Sequence, residues 1–250
     1  MKLYYFSSGP RERVLRAIIE AGHTVLGVFV TDPNAWPKVQ PTVDIAKRHD
    51  IPLRIVTRET LVEVADLVGR QVCLSVGFAY LFPEQFIQST KICLNVHGTL
   101  LPKYRGARTL NWVIENGDLE SGVTVHQIDT GVDSGPILLQ RSFPVSIFDT
   151  GRSLYRKTLE FEPPVVLEAL ALYELGKAVF SPQDDAAVVR YPDRLPEHSE
   201  IDPALPLQSL YNKIRAADPE RFPAYFCVGG EKVCIKMWRQ SKASQEADLV

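Results

Sequence analysis

Val72-Cys73-Leu74-Ser75-Val76-Gly77-Phe78 and, further on, Ile92-Cys93-Leu94-Asn95-Val96-His97-Gly98-Thr99 are the two stretches that decide the fold. Each begins as an apolar run short enough to be a buried strand. Asn95 and His97 stand two apart, so on an extended chain they project from the same face. A carboxamide and an imidazole therefore leave the end of a strand side by side, into a Gly-Thr turn. Toward the N-terminus the same pattern recurs. Residues 2–6, 25–30 and 53–56 have strand character. Residues 11–21, with Val14, Leu15, Ile18 and Ile19 on one face and Gly22 as a stop, have helical spacing. Residues 43–49 and 61–67 are further short helices. Strands alternating with helices predict an α/β, Rossmann-like and mostly parallel sheet flanked by helices. Ligands of such sheets bind beyond the carboxyl ends of the strands, where Asn95 and His97 lie.

Asp133 follows a further apolar strand over 123–128, in the Gly-bracketed loop Thr130-Gly131-Val132-Asp133-Ser134-Gly135. A carboxylate there is placed to orient the imidazole and stabilise its cationic form. Asn offers N–H donors to a developing oxyanion, and a neutral His accepts a proton from an attacking amine. No nucleophile with an adjacent base is evident. Direct acyl transfer between two bound substrates fits these residues better than a covalent intermediate. An isolated Asn-x-His on a strand also has an ordinary structural explanation. Against it, the polar pair interrupts an apolar strand where strands end, and the surrounding loops are rich in Gly, Pro, Lys and Arg.

Asn95-Val96-His97-Gly98-Thr99-Leu100-Leu101-Pro102-Lys103-Tyr104-Arg105-Gly106 closely resembles the signature of the folate-dependent formyltransferases. The likeness continues through residues 110–117, 121–126 and 133–138. It is strong over 92–140 and looser over about 1–240. It points to the sugar N-formyltransferase branch. The resemblance implies transfer of formyl from 10-formyltetrahydrofolate to the amine of a dideoxyamino sugar on a nucleoside diphosphate, as in surface-polysaccharide precursors. Asn95, His97 and Asp133 are the catalytic trio that it implies. Gly77-Phe78-Ala79-Tyr80-Leu81-Phe82-Pro83 is similar to the segment that reads the pterin through its main chain, so Phe78, Tyr80, Leu81 and Asp133 are the expected folate contacts. Methionyl-tRNA formyltransferase, formyltetrahydrofolate hydrolase and a non-catalytic binding module are the alternatives.

Ser7-Ser8-Gly9-Pro10-Arg11 joins a strand to a helix N-terminus, so Ser8 and Gly9 are candidate contacts for a phosphate, with a plain tight turn as the simpler account. The stretch lacks G-x-G-x-x-G spacing, which argues against a dinucleotide site. Lys103 and Arg105 are expected as exposed loop cations near a diphosphate. Residues 190–201 resemble the sugar-branch pattern, with Arg194 as a substrate contact. Asn212 and Arg215 are similar to residues facing the nucleotide in relatives. Trp112 is expected in packing, and so is His126, whose strand neighbours are apolar.

The 250 residues are 45% hydrophobic and 23% charged, enough for a sizeable core, and the net charge of -2 gives no electrostatic case for nucleic acid. The scattered Cys73, Cys93, Cys227 and Cys234 match no metal spacing and no disulfide framework. Cys73 and Cys93 are expected as small core hydrophobes. No run approaches the length of a membrane span, and no metal is implied. A reducing cytoplasm is the expected setting. The expected division is a catalytic unit over 1–180, a small α+β appendage over 181–240, and a frayed tail over 241–250. The helix over 152–175 is expected to be interrupted at Pro163-Pro164. Five prolines and many charges make 181–206 a linker or wrapped segment. A helix over 207–217 precedes a β-hairpin around Gly229-Gly230, which resembles one used for dimer contacts in relatives, so a homodimer is expected.

Overall fold

The computed structural model describes residues 1–218, 220 and 222–241. Five strands run parallel: β1 (Lys2–Ser7), β2 (Thr24–Val30), β3 (Leu53–Ile55), β4 (Val72–Val76) and β5 (Ile92–His97). A short β6 (Lys103–Arg105) lies outside their sheet. β7 (Glu120–Gln127) and β8 (Ile137–Pro144) complete one edge in antiparallel fashion, and the order is β3-β2-β1-β4-β5-β7-β8. This is the Rossmann-like α/β architecture that the alternating pattern predicts. β8 and the short helix over 84–89 are elements that this pattern did not reveal.

Side-chain alternation sorts the core into two layers. Leu3, Tyr5, Leu74 and Leu94 face α1 (Glu12–Glu20), α2 (Gln40–Arg48) and the later α6. Phe6, Phe29, Cys73 and Cys93 face α3 (Leu61–Val68) and α4 (Glu84–Ser89). The two cysteines sit opposite each other on β4 and β5 as buried apolar groups, their thiols pushed up by burial. Asn95 and His97 share their face.

Strand order reverses between β1 and β4, so the loops leaving those strands diverge and open a crevice. The loops are also stitched together. Ser8 N–H donates to Gly77 C=O (3.1 Å) and Ala79 N–H donates to Ser8 Oγ (2.9 Å).

After α5 (Leu110–Glu115), α6 spans Gly151–Glu174 as one helix, passing through both prolines. This corrects the expected interruption. A proline removes a helical hydrogen bond and crowds the preceding turn, at a cost of ~3 kcal/mol. Here the helix is held from both sides. Thr150 and Ser153 form a capping box at its start. Beyond the prolines, Val165, Val166, Ala169 and Leu170 are buried in the main core. Glu162, just before them, is buried against Arg11.

The segment after α6 folds back over the sheet. β9 (Val189–Arg190) pairs with β6, and Ser181 bridges to Ile137. α7 (Leu207–Ala216) leads to β10 (Ala224–Val228) and β11 (Glu231–Ile235). Gly229 and Gly230, with φ 58° and 87°, supply the doubly left-handed turn that a two-residue hairpin prefers. Residues 242–250, most of the expected tail, lie outside the described residues. No helix among the described residues is long and apolar enough to cross a membrane.

Candidate active site

The end of β5 carries Asn95 and His97, and Asp133 arrives from the loop between β7 and β8. Asp133 has φ 49°, a left-handed conformation that Asp tolerates better than most residues. It is the hub of the site. Its Oδ1 accepts from Asn95 Nδ2 at 3.2 Å, its Oδ2 accepts from the Gly106 N–H at 2.9 Å, and Oδ2 lies 3.5 Å from His97 Nδ1. The predicted trio therefore converges. Burial pushes the Asp133 carboxyl up, but His97, His126 and the Gly106 N–H outweigh it and hold the group well below its ordinary range.

Each group is oriented by a further partner. A carboxylate only accepts, so Asn95 must turn its amide nitrogen to Asp133, and its Oδ1 then accepts from Ser75 Oγ at 2.9 Å. On the other side of His97, Nε2 lies 2.9 Å from the Tyr104 carbonyl oxygen, which only accepts. Both ring nitrogens face acceptor oxygens, and the shorter contact, 2.9 Å against 3.5 Å, assigns the proton of the neutral ring to Nε2.

His126, expected only in packing, also belongs to the site. It is buried and stands directly opposite Asn95 in the β5–β7 register. Its Nδ1–H donates to the Gln127 carbonyl (2.9 Å), which leaves Nε2 to accept from Asn95 Nδ2 at 3.1 Å. Nε2 is also 3.4 Å from Asp133 Oδ1. The two contacts need opposite protonation of Nε2, which accepts from Asn95 when bare and donates to Asp133 when protonated. The apolar neighbours of His126 concealed this role. Only the antiparallel pairing of β7 with β5 brings it beside Asn95.

The remaining sequence-predicted residues fall into three groups. Phe78 packs against Phe6, Tyr80 and Phe82, while Leu81 is 62% exposed at the mouth of the β4 loop. Lys103 is exposed, as expected. Arg105 is not: it is 5% exposed, with Nε donating to Gln183 Oε1 (3.0 Å) and Nη2 3.4 Å from Asp185. Gln183 in turn donates to the carbonyls of Asp133 and Gly135, both at 2.8 Å, so Arg105 braces the loop that carries Asp133.

Arg194, Asn212 and Arg215 are likewise engaged within the chain. Arg194 pairs with Glu115 and lies over the Trp112 ring. Arg215 is buried and donates to Asn212 Oδ1 at 2.8 Å and to the carbonyls of Ser146 and Asp149. The Ser8 backbone and hydroxyl serve the β1–β4 stitch, and Gly9 C=O accepts from Thr42. Lys103 is the predicted cation left facing solvent. Among the described residues no group of His, Cys, Asp and Glu is placed to hold a metal ion.

This arrangement can stabilise an oxyanion, accept a proton and hold the resulting cation beside a carboxylate. Comparison with known proteins agrees with that chemistry. Residues 19–170 match the family described as "Formyl transferase". The methionyl-tRNA formyltransferase of Citrifermentans bemidjiense is 32% identical over 92% of this chain and 74% of its own length. That of Lactobacillus delbrueckii subsp. bulgaricus is 31% identical over 94% of this chain and 77% of its own. Among solved structures, WlaRD, a sugar 3N-formyl transferase crystallised with dTDP and 5-N-formyl-THF, superposes with TM-score 0.75 at 22% identity, covering 93% of this chain and 84% of that one. A 4-N formyltransferase from Francisella tularensis gives 0.77 at 20% identity, covering 94% and 96%. With the matched model spanning more than half the chain and the trio assembled at the end of β5, the protein belongs to the formyl transferase family and is a formyltransferase.

Proposed function

We propose that this formyltransferase moves the formyl group of 10-formyltetrahydrofolate to the amine of a dideoxyamino sugar carried on a nucleoside diphosphate. The convergence of Asn95, His97 and Asp133 carries the chemical part of this reading. The sugar amine attacks the formyl carbon, and the carbonyl oxygen becomes an oxyanion that an Asn95 N–H stabilises. With Nε2 held as the donor to Tyr104, the basic lone pair of His97 is on Nδ1. A proton accepted there faces Asp133 Oδ2. Collapse of the tetrahedral adduct breaks the bond to N10 of the folate, which takes up a proton. The attacking amine must be the free base, so activity falls toward acid pH.

The folate is assigned to the exposed mouth formed by residues 77–81, with the pterin on main-chain groups near Tyr80 and Leu81 and the formyl end at Asp133. The diphosphate is assigned to the neighbourhood of Lys103, which supplies the open cation, while Ser8 and Gly9 stand at the β1–β4 crevice beside the folate segment. Arg105, Arg194, Asn212 and Arg215 are engaged in the internal contacts described above and are not assigned to the diphosphate. A homodimer through the β10–β11 hairpin is part of the proposal, and Val228 and Val233 are exposed on it.

The sugar acceptor is supported by the likeness of residues 190–201 to the sugar branch and by the net charge of -2, which supplies no general attraction for RNA. A second reading, methionyl-tRNA as acceptor, is favoured by the names of the relatives at 31–32% identity. Formyl transfer measured with a panel of dTDP-, UDP- and GDP-linked amino sugars, with methionyl initiator tRNA and with no acceptor separates the cases. Turnover with an amino sugar supports the proposal. Turnover with the tRNA alone sinks it, and formate release without an acceptor marks a hydrolase.

The catalytic loop offers a geometric test. A Cβ built on Gly135 would collide with the Gln127 carbonyl, so any side chain there pushes the loop off the end of β7. Gly135→Ala is expected to lower kcat by ~100-fold, the penalty of roughly 1 Å of misplacement, with the far-ultraviolet spectrum unchanged. A fully active Gly135→Ala enzyme would place Asp133 outside the chemistry.

A further inference from the structure

Tyr104 follows the turn after β5 and has a left-handed backbone, φ 60°, where a bulky residue is an outlier. Such strain persists only when the surroundings over-determine it. Here they do. The ring is buried and stacks on Tyr191 at 5.1 Å, and Tyr191 stacks on Trp112, which carries Arg194 on its ring. The Tyr104 hydroxyl donates to Asp118 Oδ2 (2.7 Å) and accepts from Asn116 Nδ2 (2.8 Å). Asn116 Nδ2 also donates to the Tyr191 hydroxyl at 2.6 Å. The consequence of this fixed backbone is the direction of one carbonyl. It points at His97 Nε2 (2.9 Å), with Thr99 Oγ1 at 3.4 Å.

We propose that Tyr104 is a positioning residue for His97: its side chain, clamped by Tyr191, Asn116 and Asp118, holds a strained backbone whose carbonyl fixes the imidazole proton on Nε2 and leaves Nδ1 as the base beside Asp133. Since which ring nitrogen carries the proton is set by what the other faces, removing the carbonyl makes the opposite tautomer available, with Nδ1–H bonded to Asp133 and the lone pair pointing the wrong way. Asn116 and Asp118 follow α5, and Tyr191 comes from the segment after α6. The C-terminal part of the chain thus bears on the catalytic ring without touching the reacting atoms. This inference rests on the catalytic role assigned to His97 under the proposed function.

The decisive comparison is Tyr104→Ala with Tyr104→Gly. Both delete the clamp, but only glycine adopts the left-handed backbone freely. Tyr104→Ala is expected to lower kcat by ~10–100-fold with KM for the folate within about twofold, and Tyr104→Gly to recover a substantial part. Imidazole ¹⁵N spectra, which distinguish the two tautomers, are expected to show Nε2–H in the parent and a mixture in Tyr104→Ala. Tyr191→Leu, a milder change on a half-buried side chain, should move both readouts the same way. Equal kcat for the Ala and Gly variants, or an unchanged His97 tautomer in Tyr104→Ala and Tyr191→Leu, overturns the proposal. The spectra need no turnover, so a failure of the assigned reaction is recognised separately: it leaves the tautomer shift intact while no acceptor is formylated.

Discussion

Asp133→Asn is expected to lower formyl transfer by about 10²–10⁴-fold while the chain remains folded. The substitution keeps the shape and removes the charge. An amide at this position offers one oxygen where the carboxylate offers two, yet it faces the Gly106 N–H, Asn95 Nδ2, His97 Nδ1 and His126 Nε2. At least one donor loses its acceptor, and a protonated His97 loses its counter-charge. The effect extends to pH. Asp133 is held below its ordinary value of 3.8, so the unfolded chain binds its proton first as pH falls. The stability it contributes is present above that value and is lost as pH falls through the lower, folded-state range. Asn has no such dependence. Urea unfolding at pH 7 and pH 3 should therefore show the parent losing more stability than the variant, with activity at pH 7 measured alongside. Activity within about threefold of the parent, or parallel acid curves, would be incompatible with a carboxylate hub.

The largest effect on stability is expected from Glu162→Ala, about 3–5 kcal/mol. Glu162 is buried on α6, with Oε2 3.0 Å from Arg11 Nε, and Arg11 Nη1 donates to Tyr155 Oη at 3.1 Å. Arg11 also fills the space beside Gly77, where a Cβ would come within 3.2 Å of its guanidinium and where φ is +60°. The pair thus ties α6 to the crevice between β1 and β4. The two deletions are not equivalent. Without Glu162 a guanidinium is left in the core and cannot give up its proton. Without Arg11 the carboxyl can become neutral: burial already pushes it up to about 7, against the lowering effect of Arg11. Arg11→Met is therefore expected to cost less than Glu162→Ala at pH 6, as measured by urea unfolding. The sign of the pH dependence follows. A folded-state value above the ordinary 4.5 means that the native protein holds this proton longer than the unfolded chain. The contribution of Glu162 is greatest below about 4.5 and declines as pH rises to about 7, and Glu162→Gln should flatten that decline. The reverse order of the two deletions would refute this account of the pair.

Much of the architecture was legible because it is local. Short apolar runs placed β1, β2, β4 and β5 within a residue or so, and the 3.6-residue spacing of Val14, Leu15 and Ile18 placed α1. Gly229-Gly230 announced the last hairpin. The two-residue spacing of Asn95 and His97 put both on one face, and the Gly-rich loop around Asp133 was where a carboxylate had to return.

Tertiary structure decided the rest, because burial and register depend on residues far away in sequence. Pro163 and Pro164 have a strong local preference against helix, yet distant packing by Val165, Val166 and Leu170 overrides it. Arg105, Arg194 and Arg215 look like solvent cations by type and context. Gln183, Glu115 and the carbonyls of Ser146 and Asp149 turn them inward. His126 became part of the site only when β7 paired antiparallel with β5 and set it against Asn95. The sequence by itself determined which candidate groups stand at which strand ends. The direction each nitrogen and oxygen faces was decided by the fold, since a hydrogen bond depends on a partner's position to within a few tenths of an ångström, which no local pattern encodes.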